Sequence, residues 1–157
     1  MPIPEPPFHW PIHGFLVSAG RLTLSGVLGA LLGVQRERVH SAAGLRTHVL
    51  VGLGSAVFIL AEVESGADGT ALSRVIQGIV AGIGFLGAGA ILKIGDRVEV
   101  LGLTTAASIW VTAAVGIASG LGHVWLATLA AIFGWFVLGP LKKLEHHDKS
   151  GTTKPGG

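Results

Sequence analysis

Three observations predict an all-α, membrane-embedded bundle of about five transmembrane helices. Half of the 157 residues are apolar and only 13% are charged, with a mean hydropathy of +0.66, whereas soluble domains carry about a quarter charged residues. The apolar residues gather into runs of about 20, the length that a helix rising ~1.5 Å per residue needs to cross a hydrocarbon core of ~30 Å. No proline interrupts those runs and no alternating pattern suggests a barrel. Helices, which pair their own backbone polar groups in lipid, are the remaining solution.

The chain opens with a proline-rich arm, residues 1–13, whose lack of Lys or Arg before Arg21 argues against a secretory signal. Trp10 suits the membrane interface. The predicted spans are Gly14 to Val34, Thr47 to Val63, Val75 to Leu92, Leu103 to Leu121 and His123 to Leu141, together a membrane domain over residues 14–141. Pro140 closes the last span, and residues 142–157 read as a polar, disordered cytoplasmic tail. With five spans, nine of the eleven Lys and Arg residues fall on one side: Arg36, Arg38, Arg46, Lys93, Arg97, Lys142, Lys143, Lys149 and Lys154. The positive-inside rule then places the amino terminus in the periplasm and the carboxyl terminus in the cytoplasm.

Because lipid removes the hydrophobic drive between helices, contacts are expected where small residues recur on one face. Ser25, Gly29 and Gly33 do so in the first span, Gly78 and Gly82 in the third, and Thr104, Ser108, Thr112, Gly116 and Gly120 in the fourth. Packing within one bundle is the plainer reading; a homo-oligomer seam or a polar pathway is the sharper one. Gly82, Gly84 and Gly87 spell GxGxxG, but inside a spanning run, where a dinucleotide fold has no room. They permit close helix approach, or a local unwinding that would offer carbonyls to an ion together with Gly89.

Arg21 falls within the first span, and an intramembrane cation is a functional candidate; snorkelling to the outer interface, or pairing with Glu62 or Glu64, is its structural alternative. Arg74 and Gln77 begin the third span on that side and could join it. Magnesium prefers oxygen ligands, yet no Asp or Glu lies in the middle of a span, which weighs against a self-contained magnesium carrier. No metal site is assigned, since His40, His48, His146 and His147 match no zinc spacing. Cysteine is absent, no catalytic constellation is found, no cofactor is implied, and scattered cations give nucleic acid no footprint.

The stretches GVQRERVHSAAGLRTHVLVGLGSAVF, RVIQGIVAGIGFLGAGAIL and VLGLTTAASIWVTAAVGIASGLG, in this order, resemble the membrane domain of the MgtC/SapB family. The matching positions are Arg36, Glu37, Ala43, Gly44, Leu45, Arg46, Thr47 and His48; then Gly82 to Gly89; then Gly102, Leu103, Thr104, Thr105, Ala106, Ala107 and Trp110. The resemblance implies a multi-pass protein of the bacterial inner (cytoplasmic) membrane, linked to growth at low magnesium and, in some pathogens, to virulence. Ala42 stands where a proline often precedes AGLRTH, and Ala71 and Leu72 replace a frequent Asp-Pro pair. The short tail stands where many members continue into an ACT-like domain, so ligand sensing by such a domain is not expected.

Two functions remain open at the level of sequence. In the first, the helices contact a membrane-protein partner or a second copy, and the loop with Arg36, Glu37, Gly44, Arg46, Thr47 and His48 is either a polar recognition element or an orientation signal closed by a Glu37 to Arg46 ion pair. In the second, Thr104, Thr105, Ser108, Thr112 and the Gly82 to Gly89 backbone line a path for Mg²⁺ or another solute.

Overall fold

A computed structural model describes residues 12–93 and 100–140. The expected amino-terminal arm up to residue 11 and the tail from residue 142 lie outside the described residues. Five helices follow one another: α1 (Ile12–Arg38), α2 (Leu45–Glu64), α3 (Gly69–Gly89), α4 (Leu103–Leu121) and α5 (Val124–Leu138). The first four are long and apolar enough to cross a membrane, and α5 is a shorter apolar helix. Between α3 and α4, two short strands, β1 (Leu92–Lys93) and β2 (Val100–Leu101), pair antiparallel with Leu92 opposite Leu101. That hairpin corrects the third span, expected to reach Leu92: the helix stops at Gly89.

The helix ends follow from local chemistry. α2 ends at Gly66 and α4 at Gly122, each with positive φ, and the bonds Gly66 N–H to Val63 O, Ala67 N–H to Glu62 O, Gly122 N–H to Ser119 O and His123 N–H to Ala118 O satisfy the last carbonyls. This is the Schellman arrangement, which needs a left-handed residue just past the helix. α1 ends the same way, but its left-handed residue is His40, φ 51°, a conformation that costs a side-chain-bearing residue about 1–2 kcal/mol. The Asp68 carboxylate accepts the Ala71 N–H at 2.8 Å and so starts α3.

α4 is the centre of the bundle and the most buried of the four long helices. One of its faces joins Leu28 and Leu32 of α1 with Ala127 and Ala131 of α5 around Val115 and Ala118; another joins Val51 of α2 with Ile83 of α3 around Ile109 and Ala113. Glycine makes these approaches close. A Cβ on Gly29 would stand 2.8 Å from the His48 carbonyl oxygen, one on Gly33 2.8 Å from the Leu45 Cα, and one on Gly116 2.4 Å from the Gly52 carbonyl oxygen. The small-residue faces of α1 and α4 are therefore intramolecular seams. Apolar side chains such as Phe85, Trp125 and Phe133 point outward, as lipid-facing surface does.

Candidate functional site

At the end of the bundle where α1 stops and α2 and α4 start, the charged stretch divides by direction. Arg36 and His48 turn inward, 7% and 0% exposed, while Glu37 and Arg46 are exposed. The Arg36 Nη2 donates to Thr105 Oγ1 at 2.7 Å. His48 sits between α1 and α4, its Nδ1 2.8 Å from the Gly44 carbonyl oxygen and its Nε2 3.0 Å from Ser108 Oγ. A carbonyl only accepts, so Nδ1 carries a proton. Ser108 Oγ also lies 2.7 Å from the Thr105 carbonyl oxygen, so its single proton is shared between that carbonyl and Nε2. Four residues that the sequence singled out on three helices thus form one buried polar cluster.

The expected Glu37 to Arg46 ion pair is not what closes the turn. Glu37 Oε2 accepts the Leu45 N–H at 2.9 Å, capping α2 from the end of α1. Gly44 leaves room for this carboxylate, which a Cβ there would displace from its bond. A free backbone N–H at a helix start is a closer partner for a carboxylate than an exposed, mobile guanidinium.

Arg21 is held by a backbone carbonyl and not by Glu62 or Glu64. Its Nη1 donates to the Gly120 carbonyl oxygen at 2.9 Å, and the guanidinium lies over Gly122. A cation at a helix carboxyl terminus meets the negative end of the backbone dipoles. Glu64 instead accepts from Ser18 Oγ, and Arg74 and Gln77 are exposed on α3. On α4 the inward column is Thr105, Ser108 and Thr112, whereas Thr104 and Trp110 face outward, so Thr104 does not belong to an internal path. The hydroxyls of Thr112 and Ser119 donate to the carbonyls four residues earlier in their own helix. No unwinding occurs at Gly82, Gly84, Gly87 and Gly89, which stay helical.

A second feature, the groove between α2 and α3, was not read from the sequence. It has a volume of about 660 Å³ and is lined by Thr47, Gly54, Ser55 and Phe58 on α2 and by Gly78, Gly82 and Leu86 on α3, among others. A Cβ on Gly54, Gly78 or Gly82 would meet nothing within 4 Å, whereas one on Gly87 would touch Ala106 at 3.5 Å. The Gly78 and Gly82 spacing was the available signal. Among the described residues, no group of three His, Asp or Glu could hold a metal ion.

Helices of spanning length around a buried polar cluster, with apolar side chains outside, define a multi-pass membrane protein. The chain belongs to the MgtC family, whose model matches residues 22–147. It is 42% identical over 136 residues to protein SrpB of Synechococcus elongatus, covering 80% of this chain and 75% of that one. It is 40% identical over 125 residues to the candidate magnesium transporter YhiD of Escherichia coli K12, covering 75% and 57%. It is 45% identical over 106 residues to protein MgtC of Salmonella typhimurium, covering 68% and 44%. The chain therefore spans three quarters of SrpB but little more than half of YhiD and less than half of MgtC. No solved structure matches it.

Proposed function

We propose that the chain works in magnesium or other ion homeostasis in the bacterial inner membrane by holding a helix of a partner membrane protein in the α2/α3 groove. The open groove is the observation that carries this reading. Gly29, Gly33 and Gly116 are closed over by neighbouring helices, but Gly54, Gly78 and Gly82 have nothing against them, and a face without Cβ atoms lets another backbone approach. The link to magnesium rests on the name of YhiD and on the family. The cation balance supports a periplasmic amino terminus and a cytoplasmic carboxyl terminus.

Transport of Mg²⁺ by the chain itself is the second reading, favoured by the name of YhiD. Against it, the α4 hydroxyls are bonded within the bundle and, among the described residues, no carboxylate is hydrogen-bonded to them, although a hard cation needs several oxygen ligands.

Cysteine is absent, so Gly82→Cys gives a unique crosslinking site for use in native membranes. A single adduct with another membrane protein, lost together with growth at low magnesium in Gly78→Phe while the protein stays folded, is expected. Saturable magnesium flux into proteoliposomes from a Gly78→Phe protein, without any adduct, would replace this reading with transport.

A further inference from the structure

The α2/α3 groove is as deep as one leaflet of a bilayer. Its lining runs from Thr47 to Phe58 on α2 and from Leu86 back to Val75 on α3. Each stretch rises about 16 Å at ~1.5 Å per residue, about half of a hydrocarbon core of ~30 Å. The groove opens at the end of the bundle that carries the charged loop, since Thr47 lies in the first turn of α2 and Leu86 in the last turn of α3. At the other end it stops at Phe58, well short of Glu64, where α2 ends.

Its walls and its mouth differ in chemistry. Along α2, Leu50, Gly54 and Phe58 recur every four residues, and the next position on that stripe toward the charged loop is Arg46. Arg46 is exposed. A long helical side chain points back toward the amino terminus of its helix, which here is away from the hydrocarbon and toward the headgroups. Thr47 adds a hydroxyl at the same level. On α3 the stripe continues past Leu86 to Gly89, where a Cβ would meet nothing within 4 Å. The mouth is therefore cationic on one side and open on the other, while the walls below it are apolar side chains and bare backbone.

We infer that the groove binds one acyl chain of an anionic phospholipid whose phosphate is held by Arg46. The protein changes from hydrocarbon to charge at the depth where such a lipid does the same. A volume of about 660 Å³ drawn out over one leaflet is a slot in which a flexible chain touches both walls, whereas a chain on a convex helix surface touches one. A guanidinium forms forked, charge-assisted bonds to phosphodiester oxygens, and a cation beside the membrane surface is attracted to anionic lipid. Phosphatidylcholine offers the groove the same chains, but its phosphate is already accompanied by the choline cation. The lipid site stands without a partner helix. Its regulatory consequence rests on the function proposed above: a helix entering the groove must displace the lipid.

The experiment follows the thermal unfolding midpoint of the purified full chain in neutral detergent micelles as phosphatidylglycerol or phosphatidylcholine with identical chains is added. A saturable rise is expected, with phosphatidylglycerol effective at a concentration at least about tenfold lower, because it gains the charge-assisted bond. Arg46→Gln should bring the two lipids together. Gly82→Phe, which fills the groove, should abolish the rise for both, and Gly54→Leu serves if that variant does not fold. Soluble glycerol phosphate, which has the phosphate without the chain, should produce no rise. Equal responses to the two lipids in the wild type overturn the inference, as does a preference that survives undiminished in Arg46→Gln or a rise that survives in the folded groove variants. No lipid response, together with the single adduct at Gly82→Cys in native membranes, would assign the groove to the partner helix alone; a lipid response without any adduct would leave the lipid site standing and remove the partner.

Discussion

His48 is held from both sides of its ring by α2 and α4, and its contacts with Gly44 and Ser108 leave no ring nitrogen unpaired. Removing it opens a cavity and strands the Ser108 hydroxyl among fewer partners. His48→Ala should therefore lower stability by about 2–4 kcal/mol, and Arg46→Ala, an exposed change two residues away, by less than about 0.5 kcal/mol. Denaturant titration in detergent micelles distinguishes them, and equal losses would mean that the cluster does not support the fold. The sequence marked all these residues but not their directions. Near a helix end a single residue step turns a side chain by about 100°, and the loop's polar composition suits either face. The same step separates Thr104, which points outward, from Thr105, which meets Arg36.

At the scale of elements, small residues have two different uses. In α1 and α4 they are seams: a Cβ on Gly116 would collide with the Gly52 carbonyl and stand 2.8 Å from the Ser55 Cβ. Gly116→Ala should lower the unfolding free energy by about 1–3 kcal/mol, because neither backbone nor packed side chain can retreat freely. Gly78→Ala, in open space, should leave stability within about 1 kcal/mol of wild type, with helix propensity acting in its favour. A large loss at Gly78 would show that α3 packs closer to α2 than the groove implies. Periodicity and glycine spacing made the five helices and the seams legible. The β1/β2 hairpin was legible but not read, since Gly95 and Asp96 form a recognised turn pair and Arg97, Val98, Glu99 and Val100 alternate after it. The α2/α3 groove was harder to see, because the glycines that pack and the glycines that do not have the same spacing in the chain.

For the whole molecule, the order of helices sets which ends share a surface. The turns after α1 and α3 lie at one end, and the turns after α2 and α4 at the other, as successive crossings require. With no native cysteine, Ala42→Cys and Ala67→Cys can be labelled separately in intact cells by a membrane-impermeant maleimide. Labelling at residue 67 and protection at residue 42 until the cells are opened are expected from the cation balance. The reverse pattern would invert the molecule, and labelling at both sites would break the antiparallel order.

α5 introduces an asymmetry of thickness. Its 15 residues rise only about 22 Å, against a hydrocarbon core of about 30 Å, while α1, with 27 residues, is long enough to cross at a tilt. Since α5 packs on α1 and α4, any thinning of the bilayer that its described length calls for would fall on that flank and not beside α2 and α3. Hydrophobic mismatch of this kind costs a fraction of a kcal/mol per Å. A short flank of this kind would favour thin or deformable patches of membrane, and would be tested by comparing the unfolding midpoint in nanodiscs of short-chain and long-chain phosphatidylcholine.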